Sequence, residues 1–275
     1  MHVVEIKNLS KNFGRFCAVD DISLSIESGK ITGFVGKNGA GKTTTIRCIL
    51  DFLNPSSGTI TVFGMDSSSM SKSIKSKTAY MASDSVFYNA ITPLELFKLV
   101  CKIAKTSLDR AYDLATYFEL DLHKNIGELS YGNRKKVGII QALLKDAKLL
   151  ILDEPTNGLD PLMQMKFFEL IAKEKAKGVS VFLSSHNLAE IEKYCDRALI
   201  IKDGRIIDDL DMGSVLIQRR QKVTYTTKDK ETTCYEFDGS MNDLVKSLGE
   251  LDLVSLEIKN ASVEDDFIKY YKEEQ

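Results

Sequence analysis

No run of apolar residues in this chain approaches the roughly 20 needed to cross a bilayer. The opening MHVVEIKNLSKNF has neither the apolar core nor the cleavage site of an export signal. The chain is therefore expected to stay in the cytoplasm, at the inner face of the cell membrane only if a partner holds it there. Nor does one sign of charge dominate: 37 Lys and Arg stand against 39 Asp and Glu, which leaves no global field to draw the protein onto nucleic acid or anionic lipid. Cysteine is sparse and unpaired. Cys17, Cys48, Cys101, Cys195 and Cys234 are odd in number, scattered and never in a CxxC pair, which argues against a disulfide framework or a zinc site and makes them reduced, apolar fillers. No segment repeats at domain scale, so each motif below occurs once.

What is present is enough apolar material, 43% of 275 residues, for one large domain and a small appendage. β-rich runs at Val3 to Ile6, Ile22 to Ile26 and Ile31 to Val35 lead into a glycine-rich loop and a helical pattern from Lys42. GTITVFG at 58 to 64 reads as a strand, and SSSMSKSIKSK after it as a solvated helix or loop. From Thr92 to Ala147 the periodicity is helical, as of a helical subdomain inserted into an α/β core. Buried strands then return at Leu149 to Leu152, Val179 to Leu183 and Ala198 to Ile201, with helices starting near Pro161 and Asn187. That alternation predicts a largely parallel sheet covered by helices. Beyond a joint near Gly213 to Gln221, KVTYTT, TTCYEF and LVSLEIK surround a helix at 241 to 249, and SVEDDFIKYYKEEQ reads as a last helix.

The run GKNGAGKTT, Gly36 to Thr44, matches GxxxxGK[ST] and lies between an apolar strand and a helix. Glycines at 36, 39 and 41 permit tight turns, so that backbone amides and a helix N-terminus can surround a phosphate. Lys42 adds a positive charge toward the β and γ phosphates, and the hydroxyl of Thr43 suits Mg²⁺, which prefers oxygen ligands. The nucleotide contacts are thus expected from Asn38, Gly39, Ala40, Gly41, Lys42, Thr43 and Thr44. This loop alone specifies phosphate binding and no particular reaction. LLILDEP, Leu149 to Pro155, is an apolar strand ending in two carboxylates. Asp153 is placed to hold the ion and Glu154 to polarise an attacking water.

Upstream of those carboxylates, LSYGN at Leu129 to Asn133 precedes a basic and then apolar helix. It resembles the signature sequence of ABC ATPases, usually LSGGQ. Ser130 and Gly132 at a helix N-terminus offer a hydroxyl, free amides and a positive dipole end to a γ-phosphate, although Ser130 taken alone reads as a simple N-cap. TNGLD, Thr156 to Asp160, resembles the family's D-loop, and His186 in LSSHN its switch histidine. His2 and His123 keep a structural reading. SKNFGRFCAVDDIS is similar to the segment in which an aromatic ring stacks on adenine, with Phe13 as that ring and Val19 as its neighbour. Phe13 also has a reading as a core residue, against which Gly14 and the polar flanks favour exposure.

The resemblance covers residues 3 to 215 with the motifs in family order. It implies a P-loop NTPase core with an N-terminal antiparallel β-subdomain and a helical subdomain at about 85–145, together residues 1–215. A small C-terminal α+β domain follows at 221–275. It further implies ATP and Mg²⁺ as cofactors, with catalysis by Glu154, His186 and Lys42 and metal contacts from Thr43, Asp153 and the position of Ser83. One copy of each motif cannot complete the family's site, so a second ATPase chain, identical or a close paralogue, is expected. A separate transmembrane permease is expected to carry the cargo. ASVEDDFIKYY resembles the C-terminal segment of bacterial exporters of drugs, lantibiotics and toxic peptides, which favours export over import. A soluble ABC ATPase acting on DNA or ribosomes is disfavoured: Ser130 follows Lys42 by 88 positions, a stretch without sustained heptads that holds no long coiled coil, and there is one cassette. The sequence departs from the family where Ser83, next to Asp84, replaces a glutamine or glutamate, and where Tyr131 and Asn133 replace Gly and Gln.

Overall fold

The computed structural model describes residues 1–84, 86–217, 221–229, 231–249 and 251–260. The first sheet is antiparallel, in the order β2 (Phe16–Glu27), β1 (His2–Phe13), β4 (Ser57–Val62), β5 (Met65–Asp66). The second has the order β10 (Arg205–Asp211), β9 (Arg197–Lys202), β3 (Ile31–Val35), β8 (Ser180–Ser185), β7 (Leu149–Asp153), β6 (Thr78–Met81). Its strands are parallel except for β10, which returns antiparallel along β9.

All residues of β3, β7 and β8 are buried, as expected of parallel strands covered on both faces. Because side chains alternate along a strand, each of them feeds two cores. Phe34, Ile151, Phe182, Leu199 and Ile201 point to one side. There they meet Ile46 and Ile49 of α1 (Lys42–Ile49) and the apolar face of the first sheet, Val4, Ile6, Ile22, Leu24 and Ile60. Helix α1 thus lies between the two sheets, in contact with β2, β4 and β7. Val35, Leu150, Leu152, Val181 and Leu183 point to the other side. That side is covered by α3 (Pro93–Ala104), α4 (Asp109–Tyr117), α5 (Tyr131–Leu143), α6 (Pro161–Ala176) and α7 (Leu188–Tyr194). Helix α3 starts with a capping box, Thr92 and Glu95 exchanging side-chain and backbone hydrogen bonds ahead of Pro93, a device worth about 1 kcal/mol. The Ser- and Lys-rich stretch folds as α2 (Ser71–Lys77), anchored by the buried Ile74.

The C-terminal strands and helix form where their patterns predict. β11 (Gln221–Thr227) pairs with β12 (Thr232–Phe237) and β13 (Leu253–Asn260), and α9 (Met241–Gly249) brings Leu244 and Leu248 onto Val223. The expected joint begins with a short helix, α8 (Met212–Ile217), and the expected final helix lies outside the described residues.

Three expectations need correction. The first two strands run to 12 residues each and meet in a tight hairpin at Phe13 and Phe16 around Gly14, whose φ is +59°. Polar residues on their exposed ends hid that length from the apolar pattern. Strand β10 had no counterpart in the sequence reading, since RIIDDLD is an acidic edge strand held mainly by its register with β9. The cysteines divide: Cys48, Cys101 and Cys195 are buried fillers, whereas Cys17 and Cys234 are exposed thiols.

Candidate functional site

Parallel register gathers the motif residues at one edge. Val35 stands beside Ser185, Asp153 beside Ser184 and Met81 beside Leu152. The segments that leave the carboxyl ends of β3, β8, β7 and β6 therefore start side by side, the position where open α/β sheets place ligands.

The loop after β3 is closed by its own backbone. The Gly36 amide donates to the Ser185 carbonyl at 3.3 Å and the Ala40 amide to the Lys37 carbonyl at 3.1 Å. The β9–β10 turn braces it from below, the Gly204 amide donating to the Ala40 carbonyl at 3.0 Å. Two glycines are compulsory. A methyl group on Gly36 would lie 2.4 Å from the Ile201 carbonyl oxygen. On Gly41, whose φ is +108°, it would lie 2.7 Å from that of Ala18. Helix α1 begins at this left-handed glycine with no side-chain cap, so its first amides remain free for an anion. Lys42, 5% exposed, donates to the Gly36 carbonyl at 2.5 Å and the Lys37 carbonyl at 3.2 Å.

Asp153 is fully buried, a costly place for a carboxylate unless it is hydrogen-bonded. It accepts from Thr43 Oγ1 at 2.8 Å and from Ser184 Oγ at 2.6 Å. The next residue turns out of the strand: Glu154 has φ +47°, a left-handed backbone that costs a non-glycine residue about 1–2 kcal/mol. Its amide donates to Ser184 Oγ at 2.9 Å. The turn aims the carboxylate so that Oε1 lies 3.1 Å from Lys42 Nζ, accepting no hydrogen bond, and Oε2 lies 2.9 Å from His186 Nδ1. His186 follows directly on β8 and its side chain is 49% exposed. Behind it, Glu190 of α7 accepts from Thr156 Oγ1 at 2.9 Å, and burial holds its carboxyl above the usual glutamate range.

Lys42, Thr43 and Glu154 face a cleft of about 420 Å³ lined also by Phe13, Phe16 and Asn38, with Gly39, Gly41, Thr44, Ser83 and Asp84 on its wall; Asp153 and His186 are not on that wall and reach it through Thr43 and Glu154. Phe13 is half exposed there, which decides against the core reading. Phe16, which the sequence reading passed over, stands opposite it on the hairpin, and the symmetry of FGRF was the available signal. Two expected contacts fail. Val19 is 0% exposed in the core beneath the loop, and Ala18 lines the cleft instead. Ala40 is buried with its amide already donated within the loop. Ser184 was also missed; its hydroxyl bridges the Glu154 amide and Asp153, which only the β7–β8 register shows.

Ser130 and Gly132 do not line this cleft. Ser130 caps α5, accepting from the Asn133 amide at 3.3 Å, and is exposed. Tyr131, 48% exposed, lies over Gly158, where a methyl group would come 2.2 Å from its ring.

The model of the ABC transporter family matches residues 19–157. The bacitracin transport ATP-binding protein of Bacillus licheniformis is 30% identical, over 97% of this chain and 96% of that protein. The chain belongs to the ABC transporter family. A second bacitracin transport ATP-binding protein, from Enterococcus faecalis, is 28% identical over 98% of this chain and 96% of its own length. The solved structure of an ABC transporter ATP-binding subunit superposes with a TM-score of 0.74 at 26% identity, covering 98% of this chain and all of that one. The protein is thus an ABC transporter ATP-binding subunit and an ATP hydrolase with the P-loop NTPase fold. Among the described residues no helix of this subunit is long and apolar enough to cross a membrane.

Proposed function

We propose that this subunit powers export of peptides or drugs through a separate transmembrane permease, working as a head-to-tail pair with a second ATPase chain. One observation carries the pairing. The phosphate loop and Glu154 line one cleft, with Asp153 bonded to Thr43 and His186 to Glu154, whereas the Ser130 turn stands exposed away from it. A second chain supplying its own Ser130 and Gly132 would close the open side of the cleft. The bacitracin transport relatives, matched along nearly their whole length, support a peptide or drug cargo, and the resemblance of ASVEDDFIKYY to exporter C-termini favours export over import. The helical segment at 85–145 is the face we assign to the permease, through which alone the subunit reaches the membrane. Residues 221–275 are read as a separate small domain, in keeping with the local core of Val223, Leu244 and Leu248.

The donor set fits a hard divalent cation. Thr43 lines the cleft and its hydroxyl donates to the Asp153 carboxylate, and the described residues hold no group of three or more His, Cys, Asp or Glu side chains placed to bind a metal ion. That suits Mg²⁺ held by one or two side chains, water and phosphate oxygens. Ser83 lines the same cleft and is assigned the outer contact. When bound, Mg²⁺ neutralises charge on the β and γ phosphates. Lys42 and the free amides of α1 then hold those phosphates. Glu154 orients the attacking water and takes its proton, and His186 fixes the Glu154 carboxylate through Oε2. Phe13 and Phe16 offer ring faces to a base.

The test is assembly and stimulation. Glu154→Gln should bind ATP and run as a dimer in size exclusion with ATP, and the wild-type chain purified with its permease should hydrolyse ATP faster when peptide antibiotics are added. A variant that stays monomeric with ATP bound would end the pairing reading, and indifference to every peptide or drug tried would end the exporter reading.

A further inference from the structure

Lys135 is a buried lysine that the chemistry above does not use. It lies five residues after Ser130 on α5, next to the buried run Val137 to Ile140, and is itself 4% exposed. Packing alone would be better served there by an apolar side chain, because an ammonium loses its hydration on burial. That burial holds its pKa below the usual lysine range, against the opposite effect of the Asp84, Asp153 and Glu154 carboxylates. Among the described residues the ammonium makes one hydrogen bond, to the Ser83 carbonyl at 2.7 Å.

That carbonyl belongs to a shared wall. Ser83 and Asp84 face the nucleotide cleft on one side. On the other they face a cavity of about 300 Å³ lined by Phe87, Tyr131, Arg134 and Lys135. The signature helix therefore reaches, through one charged side chain, the wall of the cleft that its own Ser130 does not enter. Ser83 has too short a side chain to span from the cleft to α5, and the lysine spans from the opposite direction.

We propose that Lys135 is a positioning residue for ATP hydrolysis: it pins the Ser83–Asp84 wall to the signature helix, so that this wall and the Ser130 turn move as one body. Occupancy of the cleft at Ser83 is then transmitted to the turn that a second chain must receive. This rests on reading the cleft as the ATP site.

Lys135→Met in the full chain removes the cation and keeps the length. Peptide-level hydrogen exchange without nucleotide should show faster exchange in 79–84 and 129–134 together, by about tenfold. ATP affinity should stay within about threefold, and kcat should fall about tenfold or more with KM little changed. Lys135→Arg, which keeps the cation and its donors, should restore both protection and turnover. Should the Met variant fail to fold, Lys135→Gln is read in its place. Unchanged exchange in either segment, turnover within about twofold of wild type, or an arginine variant that behaves like the methionine one would each overturn the proposal. So would a parallel loss of melting temperature and ATP affinity, the mark of a packing role. Failure of the wild-type chain to bind ATP would instead sink the site reading, while the exchange comparison would still decide the Lys135 link.

Discussion

The phosphate loop and the signature turn are both glycine-bearing segments at the start of a helix, yet the protein builds them in opposite ways. The loop is sealed by its own chain: Lys42 is buried, Thr43 is bonded to Asp153, and Gly36 and Gly41 have backbone oxygens where a methyl group would go. The signature turn is open, with Ser130 and Tyr131 exposed and one weak cap at 3.3 Å. A self-contained cradle needs left-handed glycines and buried polar partners, because its free amides must be held without water. A surface meant for another molecule needs only a rigid helix beneath it. Within one chain the second segment lies away from the cleft that the first one lines.

The sharpest way to break the contrast is at the sealed end. Glu154→Gln should lower kcat by about 10²- to 10⁴-fold, the range for a lost general base, while ATP binding measured by calorimetry is kept; full turnover would remove Glu154 from that role. Lys42→Ala should weaken ATP binding by roughly 10- to 100-fold through loss of charge-assisted hydrogen bonds, and equal affinity would count against the loop. Gly41→Ala forces both a left-handed alanine and a 2.7 Å approach to the Ala18 carbonyl. It should cost about 2 kcal/mol in denaturant melts.

At the open end, Ser130→Ala removes the α5 cap and should cost only about 1 kcal/mol of stability. If Ser130 also serves a second chain, kcat at saturating ATP falls well beyond what that loss explains; a kinetic effect no larger than the stability effect would reduce it to a cap. The smallest effect is expected at Glu190→Gln, which keeps an acceptor for Thr156 and should melt within about 3 °C of wild type. Its sign against pH is definite. Burial raises the Glu190 carboxyl above the usual glutamate range in the folded chain, so the contribution of Glu190 to stability is greatest on the acid side and declines as pH rises from the unfolded value through the folded one. The glutamine variant should lack that decline, and identical pH profiles would show that Glu190 is not desolvated.

Much of this was legible in one dimension. The strand, loop and helix around Gly36 to Thr44 follow from apolar runs and glycine spacing, and the helices from Thr92 to Ala147 from their periodicity, because short-range sterics and burial on one face set both. Phe13 was found and Phe16 missed because a hairpin pairs residues across a turn: the FGRF pattern offers two rings about a glycine, and only the register shows that they meet. Val19 was misplaced because an apolar residue next to a motif reads the same whether it lines a cleft or lies beneath it.

The sequence by itself determined the chemistry available: a lysine and threonine after a flexible loop, two carboxylates at the end of an apolar strand, a histidine after another, and the family they imply. Only the tertiary structure decided what these groups do to one another. The parallel register sets Asp153 beside Ser184, and the left-handed turn at Glu154 points its carboxylate between Lys42 and His186. Lys135 meets Ser83 across 52 residues of chain. Such contacts depend on how whole strands and helices pack, and local residue preferences carry no information about partners brought together from distant parts of the chain.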